Sequence, residues 1–245
     1  MTTKTKIIAI YGAVVVISAG IIAGGIWLRS GLRKPQDASL TIQSGKETRK
    51  EWFPIGRDFT AVNQAGETVR LSQLKGKVWL VAEFFAICPH CAMRNGAELR
   101  AIYDEFKNHP DFQIVCVSVD PQTDTVEKLK DYASALGADT RNWWFLNGGD
   151  EKAVHDYLEH ELKFFGIRER KDPADIEANG RFSHDLGFLV VDRDFQVVGK
   201  WPLADARSEE AKKRQPELYD TLKADLFARI RTELAKQPSP TPAAP

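Results

Sequence analysis

Two cysteines two residues apart, in Cys88-Pro89-His90-Cys91, are the residues of this chain best suited to chemistry. A thiolate attacks disulfides and binds soft metals, so such a pair can shuttle disulfides or hold a metal ion; it can also simply fill space as two small apolar side chains. The pair stands between the apolar run 78–87, VWLVAEFFAI, and a stretch in which Leu99, Ile102, Tyr103 and Phe106 recur at helical spacing. Cys88 therefore falls at the end of a strand and the start of a helix, where unpaired backbone N–H groups and the positive end of the helix dipole favour a thiolate. Cys91 follows on the same face of the first turn, and Pro89 suits the first helical position, where no N–H is needed. Protonated His90 would stabilise a nearby thiolate further. In a redox pair Cys88 is the nucleophile and Cys91 resolves the mixed disulfide. Cys116 differs: it lies inside the apolar segment 112–120, FQIVCVSVD, and is expected to pack in the core.

The elements that would position this pair follow from the hydrophobic pattern. The runs 78–87 and 112–120 read as central strands buried on both faces, and WWFL at 143–146 as a shorter one. Between them, Leu129, Tyr132, Ala133 and Leu136 share a helical face, with Asp124 as the expected cap and Glu127 completing a capping box. Val154, Tyr157, Leu158 and Leu162 mark another helix. The charged stretch 168–181, RERKDPADIEANGR, reads as a loop ahead of a hairpin whose arms are GFLVV and QVVGKW, turning at 192–194. Strands alternating with helices and closed by a hairpin imply an α/β layered domain with a mixed sheet. His109, His155 and His160 are expected at the solvated surface. Beyond Pro202, Leu218, Leu222, Leu226, Ile230 and Leu234 repeat every four residues, a long amphipathic helix expected to pack onto its own domain.

Lys+Arg and Asp+Glu are both 34 in this 245-residue chain, so no basic field draws it to nucleic acid. Three cysteines are too few for a disulfide scaffold, and the chain is long enough to bury a core without one. Segment 7–28, IIAIYGAVVVISAGIIAGGIWL, is uncharged and long enough to cross a ~30 Å hydrocarbon layer. Without a convincing small-residue cleavage site it is expected to remain as a transmembrane anchor. Lys4 and Lys6 before it nearly balance Arg29, Arg33 and Lys34 after it, so the flanking charges leave its orientation open. The expected organisation is a tail at 1–6, the anchor at 7–28, a tether at 29–52, a globular domain at 53–203, a helical extension at 204–236 and a disordered tail at 237–245.

Three stretches carry a resemblance: VSVDPQTDTVEKLKDYASALGAD at 117–139, NWWFLNG at 142–148 and FSHDLGFLVVDRD at 182–194. Together they resemble the Sco/SenC family of membrane-tethered thioredoxin-fold proteins concerned with copper assembly of cytochrome c oxidase, over roughly residues 54–201. The resemblance implies a thioredoxin-like mixed sheet flanked by helices, and a copper ion held by Cys88, Cys91 and His184. It also implies a partner in the copper-site subunit of cytochrome c oxidase or another thiol protein, and a single-pass anchor in the cell inner membrane with the globular domain on the periplasmic side. This sequence departs from the family in one respect, for family members usually separate their cysteines by three residues. The tetrapeptide CPHC instead looks like that of the strongly oxidising periplasmic disulfide catalyst of bacteria, which favours a thiol–disulfide oxidoreductase. Against that alternative, such enzymes place a cis-proline opposite the pair, whereas residues 183–192 contain no proline and His184 lies there.

Overall fold

The computed structural model describes residues 53–86 and 95–237. The anchor, the tether, most of the C-terminal tail and both Cys88 and Cys91 lie outside the described residues. No helix among the described residues is long and apolar enough to cross a membrane.

Seven strands form one mixed sheet. In chain order these are β1 (Thr60–Asn63), β2 (Thr68–Arg70), β3 (Val78–Phe84), β4 (Phe112–Ser118), β5 (Trp143–Asn147), β8 (Phe188–Val191) and β9 (Val197–Trp201), ordered β2-β1-β5-β4-β3-β8-β9 across the sheet. Strands β3, β4 and β5 are parallel, while β8 runs antiparallel to β3 and β1 antiparallel to β5. Every residue of β3 and β4 is buried, as a sheet covered on both faces requires. A short separate ribbon joins β6 (Arg168–Glu169) to β7 (Phe182–Ser183).

Alternate residues of β3 feed two cores. Val78, Leu80, Ala82 and Phe84 face helices α1 (Gly96–Phe106), α2 (Val126–Leu136) and α7 (Leu218–Ala235). Trp79 and Val81 face the β1–β2 hairpin side, α3 (Glu151–Asp156) and the turn after it. Leu218, Leu222, Leu226, Ile230 and Leu234 are all buried in the first core, so the four-residue repeat packs on the sheet of its own domain.

Three expectations are corrected. Thr125, not Asp124, caps α2 through Lys128 N; the Asp124 carboxylate is drawn inward by stronger partners. The charged stretch 168–181 is not a plain loop. It holds β6 and α4 (Pro173–Asn179), whose N-cap Asp172 accepts from Ala174 N and Asp175 N with Pro173 in the first turn. His155 is not a solvated side chain, because its Nε2 lies 2.7 Å from Val119 O and its ring stands edge-on to Phe182. His160 is exposed, and His109 is half-buried, accepting from Asp111 N. The remaining short helices, α5 (Leu203–Ala206) and α6 (Glu209–Arg214), lead into α7.

Candidate metal and redox centre

The antiparallel register of β3 and β8 decides where His184 falls. Leu80 pairs with Val190 and Ala82 with Phe188, so the residues just before β8 run back along the carboxyl end of β3. Asp185 N donates to Glu83 Oε2 at 2.8 Å, and the rings of Phe85 and His184 meet edge-on at 5.9 Å. Asn95, at the start of α1, donates from Nδ2 to Leu186 O at 3.0 Å. Segment 184–186 therefore touches the described residues on both sides of 87–94, the stretch that carries Cys88 and Cys91.

The His184 side chain is only 3% exposed. Its Nδ1 lies 2.8 Å from Asp185 O; a carbonyl can only accept, so Nδ1 carries the proton and the lone pair sits on Nε2. Burial pushes the imidazolium pKa down to about 4, against which the Asp185 carbonyl and charge act only partly. The ring is neutral at physiological pH, as a metal-ligating imidazole must be.

Two buried acids, Glu83 and Asp185, stand beside the histidine, and two more, Asp124 and Asp120, follow β4; of the four, sequence reasoning singled out only Asp124, as a helix cap. Glu83, on the central strand, is 1% exposed; burial first, and then the Asp185 charge, raises its pKa well above the carboxylate range. Asp185 is held by Phe165 N at 3.0 Å, Gly187 N at 2.8 Å and the Lys200 ammonium. Asp124 accepts from Ala86 N with both oxygens at 3.1 Å and from Ser118 Oγ at 2.5 Å. Its burial lifts the pKa to about 6, against the lowering effect of those bonds. Asp120 is paired with Arg181 at 2.9 Å, and Arg181 also reaches Glu151 at 3.3 Å. A signal for Glu83 was present in the sequence: it is the single charge in VWLVAEFFAI. An isolated charge on a buried strand is costly unless partnered.

The charged stretch borders this centre through its glycine. Gly180 has φ of +79°, and a Cβ there would come within 1.9 Å of the Phe85 ring, so only glycine lets the chain pass Phe85 at this distance. Arg170 fixes the same corner by donating to the carbonyls of Asn179, Gly180 and Phe182. Cys116 is fully buried beside Trp143 Nε1 at 3.5 Å, and burial pushes its thiol up to about 12, so it is an inert core residue.

Among the described residues, no three His, Cys, Asp or Glu side chains are grouped to hold a metal ion. A metal centre at His184 therefore needs donors from outside them, and two thiolates with one neutral imidazole form a donor set suited to copper.

Comparison with known proteins agrees with this fold. The SCO1/SenC family model matches residues 47–217. The SCO1 protein homolog of Bacillus subtilis (strain 168) is 30% identical over 141 residues, spanning 57% of this chain and 69% of its own. Two solved structures share the fold. BsSco, a member of the Sco family of cytochrome c oxidase assembly proteins in which a disulfide switch was identified, has a TM-score of 0.57 and 22% identity, covering 78% of this chain and 98% of its own. Arabidopsis thaliana ScoI with copper bound has a TM-score of 0.53 and 19% identity, covering 73% and 99%. The chain belongs to the SCO1/SenC family.

Proposed function

We propose that this protein carries copper as cargo on Cys88, Cys91 and His184 and delivers it to the copper-site subunit of cytochrome c oxidase. The observation that carries this reading is the contact of the 184–186 turn with Phe85 on one side of the cysteine-bearing stretch and with Asn95 on the other. Two soft thiolates and a neutral imidazole suit Cu(I), and the imidazole also suits Cu(II). The Nδ1–H bond to Asp185 O orients the ring and leaves Nε2 as the ligating atom. Transfer is non-redox: Cu(I) leaves as Cu(I), and the vacated thiolates take up protons from solvent. Family membership and a fold shared with a copper-bound ScoI support the same reading. Residues 7–28 tether the carrier to the inner membrane, with the globular domain on the periplasmic side where an oxidase copper site would be met.

A second reading rests on the two-residue spacing of CPHC and on the disulfide switch of BsSco. In it Cys88 attacks a substrate disulfide and Cys91 resolves the mixed disulfide, so the pair ends oxidised and the substrate ends as a dithiol.

Anaerobic Cu(I) titration of the full chain against a competing chelator separates the two. One tight equivalent that His184→Ala, Cys88→Ser and Cys91→Ser each weaken is the expected result. Weak binding indifferent to His184, in a protein that still reduces disulfides, would replace the carrier with the oxidoreductase.

A further inference from the structure

Phe165 is 71% exposed, the only large hydrophobic side chain among the described residues that is so placed. A single exposed apolar residue is ordinary on a protein surface. This one is held. Its backbone N donates to Asp185 Oδ2 at 3.0 Å, which fixes it beside the residue that follows His184. The Lys200 ammonium, itself bound to Asp185, sits 4.0 Å from the centre of its ring.

The chain leading to Phe165 is built to turn it outward. Helix α3 widens into a π-helical turn at Tyr157–Glu161, with Leu162 N bonded to Tyr157 O at 3.1 Å. Such turns are rare and recur at functional sites. Lys163 then takes φ of +56°, a left-handed conformation that side-chain-bearing residues seldom adopt. Phe164 consequently turns into the core at 4% exposure while Phe165 turns to solvent.

Three residues on, exposed Arg168 pairs in register with Ser183, the neighbour of His184, and takes part in no ion pair among the described residues. An anchored aromatic and an exposed arginine thus attach by their backbones to the two ends of the 183–185 turn. Aromatic residues and arginine are the side chains enriched at protein interfaces.

We propose that Phe165 and Arg168 form the docking edge of the copper centre. Phe165 seats in an apolar socket of a folded partner protein, and Arg168 meets a carboxylate beside that socket. The unpaired cation selects an acidic rim, and the nearness of His184 makes the occupant the copper acceptor. This rests on the delivery function proposed above.

The test loads the full chain, in mild detergent, with one equivalent of Cu(I). Transfer to the apo copper domain of the same organism's cytochrome c oxidase is then followed against acceptor concentration. Phe165→Ala is expected to raise the half-saturating acceptor concentration about tenfold, a typical loss for an interface anchor, with Cu(I) affinity and thermal midpoint unchanged. Phe165→Trp should restore it. Arg168→Glu should raise it too, with the loss largest at low ionic strength. If wild type transfers copper and Phe165→Ala transfers it equally well at every acceptor concentration, the docking edge is wrong and the delivery function stands. A wild type that holds copper but transfers none overturns both. If Phe165→Ala instead dissolves a homodimer seen by sedimentation and leaves transfer intact, the surface binds a second copy, and the proposed occupant is wrong.

Discussion

Glu83 Oε2 lies 3.7 Å from His184 Nδ1 and accepts the backbone N–H of Asp185 at 2.8 Å. One carboxyl group on the central strand thereby holds the turn that presents the histidine. Groups of this kind orient metal ligands, and losing one typically weakens metal binding about 10–100-fold. Glu83→Leu removes the acceptor for Asp185 N and is expected to lower Cu(I) affinity by that order. Glu83→Gln keeps an acceptor and should stay close to wild type. Chelator competition on both variants decides it; equal affinities for Leu and Gln would mean that the contact does not position His184.

The depressed basicity of His184 gives a pH signature. With its pKa near 4 instead of 6.5, the folded state keeps the ring neutral where the unfolded chain already protonates it. Its contribution to stability is complete above pH 6.5 and drains away as pH falls toward 4. The advantage of wild type over His184→Ala in copper affinity should therefore persist below pH 6, where an ordinary histidine would have lost it. An NMR titration placing the ring pKa near 6.5 would refute the buried neutral imidazole.

Much of this architecture is legible in the sequence, because buried parallel strands write themselves as unbroken apolar runs and α7 as a four-residue repeat. The site is less legible. His184 emerges only from the family resemblance, since the β3–β8 register that brings it to the end of β3 is a long-range pairing invisible to local pattern. Asp124 sits where a helix cap belongs, and only the fold reveals that Ala86 N and Ser118 Oγ hold its side chain. His155 lies on a short helix, where the Phe182 ring from a later segment stands edge-on to it, so its partial burial is equally hidden. Glu83 alone advertised itself, as a lone charge in an apolar strand.

Asp124 titrates in the opposite sense to His184. Its pKa rises from 3.8 to about 6, so the folded protein retains a proton that the unfolded chain releases. The stabilisation is full below 3.8 and is lost as pH climbs through 6, a swing of about 3 kcal/mol for a shift of this size. Asp124→Asn has no proton to lose, so it should gain on wild type by up to that amount between about pH 4 and pH 7.5. Urea unfolding of both proteins across this range measures the difference. A pH-independent gap would show that Asp124 is already ionised in the folded state.

Helix α7 is joined to the helix that follows the cysteines by the Arg231–Glu105 ion pair, by the Phe227 ring against Phe106 and, at the start of α7, by Glu98. Glu98, in the first turn of α1 and 3% exposed, meets Arg207 Nη1 and Lys223 Nζ at 3.1 Å each and accepts from Tyr219 Oη at 2.5 Å. Removing one partner of a buried ion pair costs about 3–5 kcal/mol when the other charge stays buried. Here Arg207 and Lys223 retain 27% and 33% side-chain exposure, so water takes over part of their solvation. Glu98→Ala is therefore expected to cost nearer 2 kcal/mol, chiefly through the stranded tyrosine and the weakened seat of α7. Glu98→Gln, which still accepts from Tyr219, should cost less. Hydrogen exchange gives the location: amides of Leu218–Ala235 should lose protection in Glu98→Ala before those of β3 and β4. Uniform loss across the sheet would mean that Glu98 supports the whole core, and unchanged protection of α7 would mean that its leucines and its other anchors, such as Arg231 on Glu105 and Asp225 on Trp201, suffice to hold the helix in place.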